Sequence, residues 1–100
     1  MGIFFILDDC YNANPMAMKK LFGDLLSIEI KRPLIAILGD MLELGDRSLE
    51  EHINLGRLVG NSNVDILFYK GNFYKEVKQG VLSIKNEMPI YKIEDDIDFF

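Results

Sequence analysis

The sequence predicts an α/β domain in three layers: a mostly parallel sheet with helices on both faces, in the order β-α-β-α-β-α-β. Three observations carry this. Short, continuous apolar runs recur along the chain, as expected of strands buried on both faces. Segments of helical period, about 12 residues long, separate them. Asn-Pro, Gly-Asn and lone prolines fall at the joints between the two patterns.

The first strand is Ile3–Leu7, which stops at Asp8-Asp9. Asn14-Pro15 opens a helix, with Asn14 as N-cap and Pro15 at the first helical position. Met18, Leu21, Phe22, Leu25 and Leu26 then form one apolar face. Pro33 precedes the second strand, Leu34–Leu38, and a loop runs from Gly39 to Arg47. Ser48 and Glu51 have the spacing of a capping box for a second helix carrying Ile53, Leu55, Leu58 and Val59 inward. Gly60-Asn61 ends it. Val64–Tyr69 is the third strand. Gly71-Asn72 begins a third helix, with Phe73, Val77, Val81 and Ile84 inward. Met88–Ile93 is the fourth strand, and Glu94–Phe100 reads as the entrance to a further helix.

Composition bounds what such a domain does. The chain has 100 residues, 49% hydrophobic and 27% charged. A domain of that length buries roughly 65% of its unfolded surface, enough for one core. A single cysteine excludes a disulfide scaffold and, with no signal-like N-terminus, favours a reducing cytoplasm. No apolar run approaches the ~20 residues of a membrane span. The net charge of −5 argues against a nucleic-acid partner, which usually requires a basic face. Small anions remain compatible, because backbone amides at helix N-termini hold phosphates.

In parallel α/β sheets, ligands sit beyond the C-terminal ends of the strands. The first loop there is Asp8-Asp9-Cys10-Tyr11-Asn12-Ala13-Asn14-Pro15. A plain strand-to-helix turn accounts for Asn14 and Pro15 but less well for Tyr11 and Asn12. The second is Gly39-Asp40-Met41-Leu42-Glu43-Leu44-Gly45, with Gly39 and Gly45 expected in left-handed conformation. No Gly-Lys-Ser/Thr follows, so it is not a Walker loop. Its apolar residues imply packing on the domain or on a partner. His52, the only histidine, reads as solvated or locally hydrogen-bonded. No cysteine or histidine spacing points to a metal site. Cys10 has no resolving cysteine or nearby histidine, so a nucleophilic role is weakly supported.

Taken together, these two loops, their intervening helix and the His52 helix resemble the C-terminal domain of the Mur ligases. The match is to the branch that adds a terminal dipeptide to the peptidoglycan precursor. The resemblance covers nearly the whole chain and implies a Rossmann-like fold. It further implies an ATP- and magnesium-dependent enzyme joining D-alanyl-D-alanine to a UDP-muramoyl-tripeptide through an acyl phosphate. By position in the motifs, Asp9, Tyr11, Asn12 and Asn14 are expected at the adenine and ribose of the nucleotide. Asp40 and Glu43 are expected on the dipeptide side of the cleft, where a carboxylate could hold an ammonium group. No residue of this chain is assigned a catalytic or metal-binding role.

The chain departs from the family at Cys10, where serine is common, and at Met16-Ala17, which replace Asp-Ser. It carries neither the Walker loop nor the sugar-nucleotide domain. The resemblance therefore implies a piece of the enzyme, inactive alone, with ATP and magnesium bound mainly elsewhere. The apolar Ile97, Phe99 and Phe100 are expected to favour self-association. A different class stays open, a free-standing binding or receiver-like module. The acidic pair Asp8-Asp9 suits it, but the third strand ends Phe68-Tyr69-Lys70 without the phospho-accepting aspartate.

Overall fold

The computed structural model describes residues 2–6, 14–27 and 32–94. Four strands and three helices alternate: β1 (Gly2–Ile6), α1 (Pro15–Leu26), β2 (Leu34–Gly39), α2 (Ser48–Gly60), β3 (Ile66–Lys70), α3 (Tyr74–Ile84) and β4 (Ile90–Lys92). A short 3-10 turn, Gly45–Arg47, leads into α2. All pairings are parallel and the strand order is β1-β2-β3-β4. The α/β class and the element order expected from sequence are found.

Among the described residues the expected helices lie on one face of the sheet. Right-handed crossovers between strands laid down in sequential order place every connecting helix on the same side. One continuous core confirms it: Met18, Phe22 and Leu25 of α1, Leu55 and Val59 of α2, and Val77 and Val81 of α3 meet Leu34, Ala36, Leu38, Leu67 and Tyr69. Each of these aliphatic side chains contributes about 1.5–3 kcal/mol by leaving water. The register sets Ile35 beside Ile66 and Ile37 beside Phe68, on the opposite face, where Phe68 stacks on Tyr91 at 5.3 Å.

Helix α2 lies tight against α3 and more loosely against α1. The cause is a pair of facing glycines. A Cβ on Gly56 would collide with the Val77 carbonyl of α3, and one on Gly80 with the Ile53 carbonyl of α2. Their absence lets the two backbones touch.

Asn14 caps α1 as expected, its Oδ1 accepting from the Ala17 N–H at 2.9 Å. The capping box of α2 does not form. Arg47 occupies the N-cap position with helical dihedrals and no side-chain cap, because the 3-10 turn feeds directly into the helix. Glu51 pairs with Arg47 instead of reaching back to Ser48. Leu26 and Ile84, expected inward, are exposed at helix ends. At the start of the sheet, Asp65 ties β2 to β3: it accepts from the Leu34 N–H at 2.7 Å and pairs with Arg32. Its backbone N–H also donates to the Leu34 carbonyl at 2.8 Å. Among the described residues no helix is long and apolar enough to cross a membrane.

Candidate functional site

Parallel strands bring their C-terminal ends to one edge of the sheet, and there the Gly39–Gly45 loop follows β2. The loop is pinned from two sides. On one side is Asp40, only 6% exposed. Its Oδ1 accepts from the Tyr69 hydroxyl at 2.5 Å and from the Phe73 N–H at 3.1 Å; its Oδ2 accepts from the Asn72 N–H at 2.7 Å. One carboxylate thus joins the ends of β2 and β3 to the start of α3. The N-cap of α3, Phe73, supplies no side-chain cap, so Asp40 takes that role from outside the helix. Gly71 makes room for it. Its φ is +151°, and a Cβ there would overlap the Asp40 carboxylate.

On the other side is His52, which is fully buried. Its Nδ1–H donates to the Ser48 carbonyl one helical turn earlier, at 2.6 Å, which leaves Nε2 as an acceptor. Nε2 receives the Met41 N–H at 2.9 Å. The ring also stacks on Phe73, with centroids 4.1 Å apart and planes at 10°. His52 and Asp40 therefore hold neighbouring residues of the loop, and both meet at Phe73.

Past Met41 the loop turns outward. Leu42 and Glu43 are exposed, and Glu43 has φ +61°. That left-handed conformation suits glycine and is uncommon for a side-chain-bearing residue. Of the two glycines expected there, Gly45 is left-handed at +57° whereas Gly39 ends a strand. Glu43 takes the second left-handed position.

The sequence-based candidates fall into three groups. Glu43 stands at the open edge. Asp40 is turned inward with three donors on it, a different occupation from the direct ammonium contact expected of it. Asn14 directs its Oδ1 to capping α1. Asp9, Tyr11 and Asn12, like Cys10, Ile97, Phe99 and Phe100, lie outside the described residues. Sequence reading did not single out Tyr69, Gly71 or Phe73; of its two readings of His52, solvated or locally hydrogen-bonded, the structure shows the second, in a buried setting. A buried tyrosine needs a partner for its hydroxyl, and Tyr69 has an inward position on β3 that could have drawn attention to Asp40. Among the described residues, no three His, Cys, Asp or Glu side chains converge as a metal site.

A parallel α/β sheet with its polar loops gathered at the strand C-termini defines the architectural class of this domain. The comparison with known proteins makes this particular. Residues 2–95 match the family model described as "Mur ligase, glutamate ligase domain", and the chain belongs to the Mur ligase family. It is 34% identical, over 77% of its length, to the UDP-N-acetylmuramoyl-tripeptide–D-alanyl-D-alanine ligase of Bacillus subtilis. It is 39% identical, over 66% of its length, to the ligase of the same name from Mycobacterium bovis. A crystal structure of MurF from Acinetobacter baumannii superposes with a TM-score of 0.65 at 33% identity, covering 90% of this chain and 19% of that one. The chain spans 17% and 14% of the lengths of the two relatives.

Proposed function

We propose that this chain supplies the C-terminal wall of the cleft in an ATP-dependent, amide-forming ligase that adds D-alanyl-D-alanine to a UDP-muramoyl-tripeptide. The names of the relatives support the substrates, and the site supports a role for the loop. ATP, when bound, provides the phosphoryl group that activates a substrate carboxylate. Magnesium, when bound, would neutralise charge on the ATP phosphates; among the described residues no three His, Cys, Asp or Glu side chains converge. Asn14 and the N-terminus of α1 are the described groups on the proposed nucleotide side, beside Asp9, Tyr11 and Asn12. A cytoplasmic location would follow from that activity.

The single observation that carries the reading is Glu43. An exposed carboxylate at a left-handed position, where glycine would be less strained, is retained at the tip of a loop anchored by two buried groups. Backbone strain of this kind costs about 1–3 kcal/mol and clusters at ligand clamps. In this reading Glu43 holds the ammonium of the incoming dipeptide, while Asp40 and His52 position the loop that presents it.

The test is a graft. Residues 2–95 replace the matching segment of the Bacillus subtilis relative, and phosphate release from ATP is followed with the sugar-nucleotide tripeptide present. Release that depends on D-alanyl-D-alanine, and not on single amino acids, is the expected result. A soluble, folded graft that releases no phosphate with the dipeptide would overturn the proposal.

A further inference from the structure

The glycine contact that draws α2 onto α3 has a counterpart on the other flank of α2. There α1 stands away, and a groove of about 500 Å³ opens between α1 and α2. That volume is within the range of small-molecule sites. Three of the chain's five methionines line it: Met16, Met18 and Met41. Leu55 and Leu58 complete the apolar surface. Met18, Met41 and Leu55 are buried, whereas Met16 is 81% exposed. Unbranched thioether side chains adapt to apolar guests of different shape, which is why methionine recurs at adaptable binding surfaces.

The rim gives the groove a charge preference. Lys19 and Arg57 both border it. Among the described residues Lys19 has no ion pair, and Arg57 bonds only to Asn54 Oδ1, at 2.9 Å. Among the described residues the one carboxylate on the rim, Glu51, is already paired with Arg47 outside the groove. Two uncompensated cations thus flank an apolar floor, on a chain whose net charge is −5.

We infer that this groove binds a small amphipathic anion: an aliphatic body on the methionines, and a carboxylate or phosphate head between Lys19 and Arg57. The site is separate from the Glu43 tip and does not depend on the ligase reading. Met41 belongs to both the groove floor and the pinned loop, since its backbone N–H is held by His52. A guest in the groove therefore touches the residue that positions the loop.

Decanoate, below its micellar concentration, is the probe, with methionine Cε methyls of the full chain observed by NMR. Met88, buried in the core and outside the groove, is the internal control. Saturable shifts of Met16, Met18 and Met41 with Met88 unmoved are expected. Replacing both cations (Lys19→Gln with Arg57→Gln) should weaken binding by about 10-fold or more, since each head-group contact is charge-assisted. Decan-1-ol should bind the unsubstituted chain correspondingly less well. Decanol binding as tightly as decanoate, Met88 moving with the rest, or no saturable shift would each overturn the inference. So would an unchanged affinity in the double variant.

Discussion

Removing the Asp40 carboxylate should do more damage than removing any other single polar group at the loop. Three donors converge on it: the Tyr69 hydroxyl and the Asn72 and Phe73 N–H groups. Hydrogen bonds to a charged group contribute about 1.5–3 kcal/mol each, and a buried donor left unpaired adds its desolvation cost. The contributions are not additive, so Asp40→Ala is expected to cost about 3–5 kcal/mol. That is a large share of the roughly 5–15 kcal/mol available to a whole domain. The milder Asp40→Asn keeps the volume but turns one acceptor into a donor, for about 2–4 kcal/mol. Urea unfolding followed by circular dichroism measures both. The sharper test is a cycle with Tyr69→Phe, which alone should cost about 1–2 kcal/mol. In the Asp40→Ala background the same change no longer breaks the bond to Asp40 and should cost less. An Asp40→Ala cost below about 1 kcal/mol, or a Tyr69→Phe cost equal in both backgrounds, would refute the reasoning.

Other consequences follow from the same contacts. His52→Phe keeps a ring against Phe73 but leaves the Met41 N–H without its acceptor, so stability should fall by about 1–3 kcal/mol. Amide exchange at Met41 should accelerate in that variant, and an unchanged rate would count against the His52 anchor. The Arg32 guanidinium holds the Asp65 carboxyl below its ordinary range, with the Leu34 N–H adding to the effect against a desolvation penalty. A depressed carboxyl contributes stability above its ordinary unfolded value, which is lost as pH falls through the lower folded value. Acid titration of the unfolding midpoint should show that loss below about pH 4, and Arg32→Gln should reduce it. Glu43→Gly should leave stability equal or raise it by up to about 1 kcal/mol, because glycine accepts the left-handed backbone.

Much of the fold was legible because it rests on local pattern. Asn14-Pro15 opened α1 where expected, and the apolar runs marked every strand to within two residues. The features that were missed depend on neighbours distant in sequence. Helix placement on one face follows from the strand order, which an alternating β-α pattern leaves undetermined. The Ser48–Glu51 spacing matched a capping box, but Arg47 competed for Glu51 once the 3-10 turn brought them together. The partners of Asp40 were not foreseen because they lie about thirty residues on, in Tyr69, Asn72 and Phe73. His52 read as solvated or locally hydrogen-bonded; the local bond to Ser48 is found, but its turn of α2 faces inward and its acceptor nitrogen also answers a loop amide. The left-handed backbone at Glu43 was not legible, because the sequence pointed to Gly39 and Gly45 for such positions.

The central claim is that Glu43 meets the ammonium of the dipeptide while Asp40 and His52 hold the loop in place. Steady-state kinetics of the grafted enzyme with Glu43→Gln address it most directly. A lost charge contact should raise the KM for D-alanyl-D-alanine by about 10-fold or more and leave the KM for ATP unchanged. Unaltered KM and kcat for the dipeptide, in a variant as stable as its parent, would contradict the account.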